Sequence, residues 1–356
     1  MQTTIVCSHP QIRALAISAL ALLTVSGLAQ ANTFCVATAQ QLQDALTASS
    51  DGGMYHNETN TILLIQGTYT TGAATGNGPF HYSNSTIGVR ININGGLDAT
   101  CTTQTPKASL TVLDGNHASQ VLTIHSADGR VFVDTLTIQN GESSLDGGGL
   151  SINASLGDNS SAYVFDTIIQ NNHTTNYGGG FIVDAAGSGH FLELLNNLIA
   201  GNSADLGDGA GELVGNGSET FISNNTVSQN TTTAMGGTGG LSPCNGGAIC
   251  VVYNNIFWNN TNFGLYLSST NADVEYNDYG TLGGLTPATS QGNVSVAPKF
   301  VNANGGNFHL AGDSPLLGFS PKLLGGFDLD GNPYPSAGKS DLGAYEETIF
   351  VDGFDP

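Results

Sequence analysis

Basic residues are scarce in this chain of 356 residues: 7 lysines and arginines stand against 28 acidic residues, for a formal net charge of −21. This balance disfavours nucleic acids and anionic membrane surfaces as partners, because both are bound through basic patches. Charged residues of both signs make up only 10% of the chain, so the sequence is not that of a disordered polyelectrolyte. Periodic patterns long enough for extended helices are also missing.

Long apolar runs are almost absent, and the one that exists lies near the start. It runs from Ala14 to Val25, directly after Arg13, and small residues follow at Ala29 and Ala31. This order is typical of an export signal, and the run is shorter than the ~20 residues that a membrane span needs. The pattern predicts a signal peptide over residues 1–31, secretion, and no transmembrane span in the mature chain.

Cysteine is rare, and Cys7 lies inside the predicted signal. The four that remain are an even number, which suits disulfide bonds in an oxidising compartment. Cys244 and Cys250 are close enough to close one loop, and Cys35 and Cys101 would then tie the start of the mature chain to an early coil. The sequence alone does not fix this connectivity. A metal site is the alternative, but no compact Cys/His spacing accompanies it.

What the chain does contain is a repeat. One short phrase, such as Thr-Ile-Ile-Gln-Asn-Asn, recurs at intervals of 28 to 31 residues. A near-constant period of this size indicates one supersecondary unit stacked on copies of itself. With 49 glycines and short runs of alternating residues between turns, the pattern predicts an all-β solenoid. The third residue of each copy should be its inward anchor: Ile138, Ile169, Ile199, Val227 and Phe257.

The segments around the repeat predict how the solenoid begins and ends. Thr38 to Gln41 reads as a capping box, and apolar residues at helical spacing then predict a short helix over residues 38–48. We expect this helix to cover the open end of the first coil. The predicted boundaries are an N-terminal cap at 32–58, a β-helix at 59–300, a C-terminal cap at 301–346 and a tail at 347–356.

An asparagine recurs three residues after each repeat anchor except the first. Asparagine tolerates left-handed backbone and can bond the same residue in the next coil. We therefore interpret these positions as a structural ladder rather than as catalytic residues. The ladder consists of Asn172, Asn202, Asn230 and Asn260.

A glycine-rich phrase follows each anchor, and the apolar residue after the glycines should point inward. The copies end at Leu150, Phe181, Glu212 and Ile249. Glu212 breaks the pattern, since an unpaired buried carboxylate is costly. We expect a one-residue slip that turns Leu213 inward and Glu212 outward.

These residues resemble known repeat families. Gly246-Gly-Ala-Ile249 and Phe257-Trp-Asn-Asn260 are similar to the GGAI and FxxN repeats of polymorphic outer-membrane proteins. The stretch from Leu136 to Asn260 looks like the right-handed parallel β-helix of the pectate-lyase-like superfamily. Residues 328–346 resemble the choice-of-anchor Q domain, which closes many secreted bacterial β-helix proteins, although its upstream Asp-Ala-Gly is missing. The resemblance implies this fold and a location outside a bacterium or on its outer surface. It implies no single function, because the fold carries enzymes, adhesins and structural spikes.

Enzymes of this superfamily would need residues that the chain supplies only sparsely. A lyase needs a base and often Ca²⁺, and a hydrolase needs paired carboxylates across a sugar. The usual polygalacturonase motifs are missing. The best candidates for catalysis are Asp205, Asp208, Glu212 and Arg130, with Asp146 and Asp184 on nearby coils.

Calcium is the one cofactor that the acidic loops could take, and otherwise no cofactor is expected. The candidate ligands are the pair Asp205 and Asp208 and the pair Asp328 and Asp330. Solvated turn carboxylates are the competing interpretation for the first pair, and a cap turn is the competing interpretation for the second.

Trp258 is the only tryptophan, and its place beside an inward anchor predicts that it points outward. It could stack on a sugar, or pack against Tyr253 or a neighbouring loop. The leading hypothesis is a secreted or cell-surface, non-catalytic β-helix protein that binds glycans or other surfaces, with Trp258 and Tyr253 as ligand residues. The rival is a Ca²⁺-dependent lyase or hydrolase acting on acidic polysaccharide, and a third possibility is a structural spacer. No pattern indicates an oligomeric state.

Overall fold

The structure is a computed structural model that describes residues 31–154, 160–185, 187, 189–245, 249–321 and 325–347. The predicted signal peptide, apart from residue 31, and the tail after residue 347 lie outside the described residues. The described chain winds into a stack of coils, and strands of successive coils pair in parallel. The predicted fold class is therefore confirmed: the protein is an all-β parallel β-helix. None of the helices in the described part of the chain has the length and apolar character that crossing a membrane requires.

Three long parallel sheets, here called A, B and C, form the walls of the stack, and each typical coil contributes one strand to each. Sheet A consists of Ala31–Val36, Thr59–Ile65, Ile91–Leu97, Arg130–Asp134, Ser161–Phe165, Phe191–Leu195, Glu219–Ser223, Ile249–Tyr253, Ala272–Glu275 and Thr289–Gln291. Sheet B consists of Gly67–Thr70, Thr111–Asp114, Thr137–Gln139, Ile168–Gln170, Leu198–Ala200, Thr226–Ser228, Ile256–Trp258 and Asp278–Tyr279. Sheet C consists of Phe80–Ile87, Leu122–Asp128, Leu150–Asn153, Phe181–Asp184, Gly211–Val214, Leu241–Asn245, Leu265–Leu267 and Leu282–Gly284.

The remaining elements are short. A fourth parallel sheet joins B to C in the central coils and consists of Glu142–Ser143, His173–Thr174, Ser203–Ala204 and Thr231–Thr232. An antiparallel pair, Phe300–Asn302 with Asn307–Leu310, follows the last coil. The α-helix spans Ala39–Ser49, and three 3₁₀ turns span Ala73–Thr75, Ala108–Leu110 and Ala303–Gly305.

The repeat anchors form the core of sheet B. Each anchor lies directly opposite the anchor of the next coil, so that Ile169 pairs with Ile138 on one side and Ile199 on the other. Val227 and Phe257 continue the same row. All five anchors have no solvent exposure, which confirms the inward assignment. Burial of these aliphatic and aromatic side chains is the main stabilising term of the stack.

The N-terminal helix covers the first coils as predicted. Its cap is Thr38, whose Oγ1 accepts from the backbone N–H of Gln41 at 3.2 Å. The Gln41 side chain accepts from the N–H of Ala37, at 2.8 Å, rather than from Thr38 as a strict capping box would require. Leu42 and Leu46 are fully buried and join the main core, so the helix removes apolar surface that a bare first coil would expose.

Both disulfide bonds have the pairing that the spacing indicated. Cys35, in the first strand of sheet A, is bonded to Cys101, which follows the third strand of that sheet. Cys244 is bonded to Cys250 across the short loop between sheets C and A. Both bonds fit an oxidising compartment.

The asparagine ladder is present, and a second one runs beside it. In the predicted ladder, Nδ2 of each asparagine donates to Oδ1 of the next, from Asn172 to Asn260, at 2.9–3.0 Å. The second ladder, which the sequence interpretation missed, joins Asn197, Asn225, Asn255, Asn277 and Asn293.

The ladder asparagines themselves do not adopt the left-handed backbone conformation. That conformation belongs to the residue before each, for example Asn171 with φ 55° and Asn196 with φ 57°. This one-residue turn swings the following amide inward, where it reaches the next coil.

The glycine-rich corners of sheet C confirm the predicted slip at Glu212 and correct the assignment of Ile249. Gly211 stands opposite Phe181, so Leu213 is fully buried and Glu212 faces outward. Leu241, rather than Ile249, continues this row after Gly211. Ile249 instead begins a strand of sheet A and is 46% exposed. Its assignment as an inward corner residue is wrong, because the chain between Gly211 and Gly246 contains the additional corner at Gly239 and Gly240.

The described C-terminal segment, residues 300–321 and 325–347, lies along the outward face of sheet B rather than over the last coil. Its apolar side chains form two clusters with that face, one around Ile168 and Leu198 and one around Ile256. Polar contacts fasten it, including Tyr334 Oη to Asn196 Oδ1 at 2.7 Å. The segment therefore acts as a lateral cover, and sheets A and C keep their outward faces.

Candidate functional site

The outward face of sheet C carries an acidic cluster centred on Glu212. This residue lies at the second position of the strand Gly211–Val214, and its carboxylate accepts from the amide of Asn245. Burial, followed by repulsion from Asp208 and Asp146, raises the pKa of Glu212 to about 7, while the bond from Asn245 opposes the shift. Asp184 adds a smaller repulsion. Glu212 therefore holds a proton near neutral pH, which is a property of general acids.

Asp208 lies at the corner before this strand and is partly enclosed. Burial raises its pKa, while hydrogen bonds from Ser242 and Thr238 oppose the shift. The Thr238 N–H donates to Asp208 Oδ1 at 3.3 Å. Of the predicted catalytic acids, the structure brings Asp208 and Glu212 together and adds Asp146 and Asp184 from neighbouring coils.

The other two catalytic candidates do not join this cluster. Asp205 lies in the turn after Ser203–Ala204, where its carbonyl accepts from Thr233 Oγ1 at 3.1 Å, and it does not contribute to the pKa of Glu212. Arg130 is exposed and begins the sheet A strand that follows Leu122–Asp128. The strand Leu122–Asp128 lies three coils from the sheet C strand that carries Glu212. Arg130 therefore does not form one site with the acids.

The residues present do not fit a calcium site. Within the described ranges, no group of three or more His, Cys, Asp or Glu side chains is arranged to hold a metal ion. Asp328 is buried and accepts from the backbone N–H groups of Asp330, Asn332 and Glu346 at 2.7–3.0 Å, which makes it the carboxylate of a cap turn. Asp330 forms ion pairs with Lys107 at 2.8 Å and His309 at 2.9 Å.

A row of aromatic side chains on the outward face of sheet A was not predicted. Successive coils place Phe132, Tyr163, Glu193, Phe221 and Val251 opposite one another. The rings of Phe132 and Tyr163 stack with centroids 4.4 Å apart. We call these five residues, together with their flanking neighbours Phe191, Ile249, Phe165 and Tyr253, the aromatic strip.

The flanks widen the strip. On one side, Phe191 and Ile249 are 37% and 46% exposed, and the Phe191 ring lies parallel to that of Phe221 at 5.9 Å. On the other side lie Phe165 and Tyr253, the second predicted ligand residue. Burial, opposed by a bond with Ser223, raises the pKa of the Tyr253 hydroxyl. The signal that could have found the strip was the recurrence of outward aromatics one coil apart, in strands outside the anchor phrase.

Trp258 ends the strand Ile256–Trp258 and points outward from sheet B, as predicted, but it is not freely exposed. It packs against the C-terminal segment, in the cluster that contains Val294 and Phe300. Trp258 thereby forms one wall of a cleft of about 220 Å³ between the solenoid and that segment. Tyr253 belongs to another sheet, so the two predicted ligand residues do not form one site.

Comparison of the chain with protein-family models, with curated proteins and with solved structures finds no match. The choice between functions therefore depends on the geometry of this chain.

Proposed function

We propose that this protein is a secreted, non-catalytic β-helix that binds an extended, neutral polysaccharide along the aromatic strip of sheet A. The observation that carries the proposal is the strip itself. Scattered apolar residues are normal on protein surfaces, whereas a patch in which aromatic side chains of neighbouring coils meet is typical of an interaction site. In the central row, only Glu193 interrupts the apolar side chains. The described residues of the C-terminal segment pack on sheet B and leave this face of sheet A uncovered.

The dimensions and chemistry of the strip suit a polymer. Its central row crosses five coils, a length of roughly 19 Å at ~4.8 Å per coil, which is enough for several sugar units. Aromatic rings supply rigid apolar contact area at low entropic cost. Glu193, Glu219 and Arg130 lie on the same face and offer partners for sugar hydroxyls.

The acidic charge of the protein favours neutral polymers as ligands. The formal net charge of −21 repels polyuronates and nucleic acids. In the sheet A strands from Arg130–Asp134 to Ile249–Tyr253, Arg130 is the only basic residue. The two disulfide bonds and the N-terminal signal pattern support action outside the cell. Attachment to a bacterial outer surface is part of the proposal and rests on the sequence resemblance.

Binding to insoluble neutral polysaccharides, measured by co-sedimentation, tests the proposal. Phe221→Ala and Tyr163→Ala should each weaken binding about tenfold, which is ~1.4 kcal/mol. Leu206→Ala is the matched control, because Leu206 is 59% exposed but lies in a turn away from sheet A. If the wild type sediments with none of the polymers, or if the strip variants bind as well as the control, the proposal is wrong.

The Glu212 cluster favours a second candidate, hydrolysis of a polysaccharide at the outward face of sheet C. Glu212 would donate a proton to the leaving oxygen, while Asp208 would take a proton from the water that attacks the anomeric carbon, so that a new C–O bond forms as the glycosidic bond breaks. Release of new reducing ends, lost in Glu212→Gln and kept in Asp205→Asn, would support it. Assays with Ca²⁺ and with a chelator, including detection of unsaturated products, would separate hydrolysis from the Ca²⁺-dependent lyase reaction that the fold resemblance suggests.

A further inference from the structure

We propose that the cleft beside Trp258 is a second and separate binding site, which takes a single ring of a neutral sugar. The cleft lies on sheet B, where the C-terminal segment crosses the last coils, and it shares no residue with the aromatic strip. It therefore goes beyond the proposed binding of a polymer on sheet A and does not depend on it.

The cleft has the size of a site for one ring. Its volume is about 220 Å³, below the ~300–1,000 Å³ of pockets for drug-sized ligands. Its walls are the apolar side chains of Trp258, Pro298 and Phe300, and its rim carries the amides of Gln229, Asn259 and Asn304. Apolar walls with a few polar groups are the usual composition of small-molecule sites.

The indole of Trp258 supplies both a ring face and a donor. Among the described residues, the indole N–H of Trp258 donates to no protein acceptor. The nitrogen is also absent from the set of buried polar atoms without a partner, so it is in contact with solvent. An indole N–H that is neither bonded to the protein nor buried without a partner remains open to solvent, and it can therefore donate to a ligand. The backbone is held in place by Ser228, whose Oγ donates to the carbonyl of Trp258 at 2.9 Å.

The amides at the rim are arranged for hydroxyl groups. Gln229 Nε2 donates to Asn304 Oδ1 at 3.1 Å and thereby joins the solenoid to the C-terminal segment. Oε1 of Gln229 and Nδ2 of Asn304 make no further hydrogen bond within the described part of the chain. Asn259 is exposed, with φ 57°, and adds another donor and acceptor. Paired donors and acceptors of this kind match the vicinal hydroxyls of a sugar.

The charges around the cleft favour a neutral ligand. Among the described residues, the one cation at the cleft is Lys299, and its ammonium is already held by Asp313 Oδ2 at 2.7 Å. The described lining therefore offers no unpaired cation to bind a carboxylate or phosphate, and the acidic surface disfavours anions further. A hexose or an N-acetylhexosamine, as a free sugar or as the end of a chain, satisfies these constraints.

The only tryptophan of the chain is Trp258, so intrinsic tryptophan fluorescence reports on this cleft alone. Titration with neutral hexoses and N-acetylhexosamines should give a saturable change in emission for at least one sugar, with millimolar affinity. Asn259→Gly removes one amide without strain at a positive φ and should weaken that affinity about fivefold to tenfold. Phe221→Ala, on the strip, should leave the titration unchanged.

Saturation-transfer NMR extends the test to Trp258→Phe, which keeps the aromatic packing but removes the N–H donor. This variant should lose most of the sugar signal while its thermal unfolding stays close to that of the wild type. The inference is overturned if no sugar of the panel changes the emission or gives a saturation-transfer signal. It is also overturned if Asn259→Gly and Trp258→Phe both bind like the wild type. Polymer co-sedimentation reports on the strip separately, so the two proposals can fail independently.

Discussion

Asn202 donates from Nδ2 to Oδ1 of Asn230 at 2.9 Å, and the same Oδ1 accepts from the backbone N–H of Asn202 at 2.9 Å. Nδ2 of Asn202 also donates to the carbonyl of Ile169 at 2.9 Å. Each ladder amide therefore satisfies backbone groups of a neighbouring coil as well as the next side chain. Because both residues are fully buried, any group left without a partner costs its full desolvation energy.

The first prediction concerns the interior of the second ladder. Asn225→Ala removes the acceptor of both the backbone N–H and Nδ2 of Asn197, so we expect the free energy of unfolding to fall by about 2–4 kcal/mol. Asn293→Ala is the control, because Asn293 ends the ladder and is half-buried. Urea unfolding of both variants checks the difference, and equal losses would contradict the ladder as a chain of mutually dependent bonds.

The second prediction concerns Asp278, which is fully buried at the end of sheet B. Its Oδ1 accepts from the N–H of Val296 at 2.9 Å, and its Oδ2 has no partner among the described residues. Burial, opposed by that bond, raises the pKa of Asp278 from 3.8 to about 7. The folded protein then binds more protons than the unfolded chain between these values, so stability should fall as pH rises from about 4 to above 7.

Asp278→Asn should remove this part of the pH dependence, because asparagine keeps the acceptor for Val296 and does not ionise. Urea unfolding at about pH 5 and pH 8 measures it: the variant should gain stability relative to the wild type at the higher pH. If the variant loses as much stability between pH 5 and pH 8 as the wild type does, other carboxyls, such as Glu212 or Glu346, control the pH dependence.

The third prediction concerns an ionic contact inside the C-terminal segment. His309 lies between Glu347, 2.8 Å from Nδ1, and Asp330, 2.9 Å from Nε2. The hydrogen bond to Glu347 is the largest cause of the raised pKa of His309. A raised histidine pKa stabilises the fold fully below about pH 6.5, and that contribution is lost as pH rises through the folded-state pKa.

His309→Gln should therefore destabilise the folded C-terminal segment by about 1 kcal/mol at pH 5.5 and by less at pH 9. Limited proteolysis of the C-terminal segment, together with thermal unfolding, measures the effect. The exposed His125→Gln serves as control. An equal effect of His309→Gln at both pH values would mean that packing against Tyr345, at 4.2 Å, outweighs the charge.

The fourth prediction compares the two disulfide bonds. Cys35 and Cys101 are separated by 66 residues, and Cys244 and Cys250 by 6. Chain entropy predicts a loss of roughly 4 kcal/mol when the long loop is opened and roughly 2 kcal/mol for the short one. Urea unfolding of the two double Cys→Ser variants checks the order. A larger loss for the short loop would show that local geometry, not loop closure, controls the effect.

The repeat anchors and the predicted asparagine ladder were predictable because each depends on a local rule repeated along the chain. An inward residue such as Ile169 recurs at each coil, and the side chains next to it must alternate in direction. The slip at Glu212 followed from the cost of burying a carboxylate. The second ladder was missed because the interpretation considered only the asparagine that follows each anchor. Three members of the second ladder open the phrase, beginning at Asn197, and the last two lie after the final copy.

The position of the last glycine corner was not predictable in the same way. Two similar phrases, at Gly239 and at Gly246, compete for one place in the stack, and composition does not distinguish them. Backbone pairing between Gly211 and Leu241 decides between them, since strand register is a property of two coils together.

The sequence by itself determined the solenoid, its period, its inward residues and one ladder, because these depend on spacing along the chain. The pairing of the cysteines was indicated by spacing and decided by the structure. The tertiary structure decided which outward side chains meet. It aligned Phe132 with Tyr163, placed Asp208 beside Glu212 and left Arg130 three coils away. It also laid the C-terminal segment over Trp258. These outcomes depend on the register between coils about thirty residues apart and on packing across sheet B, and no local pattern encodes either.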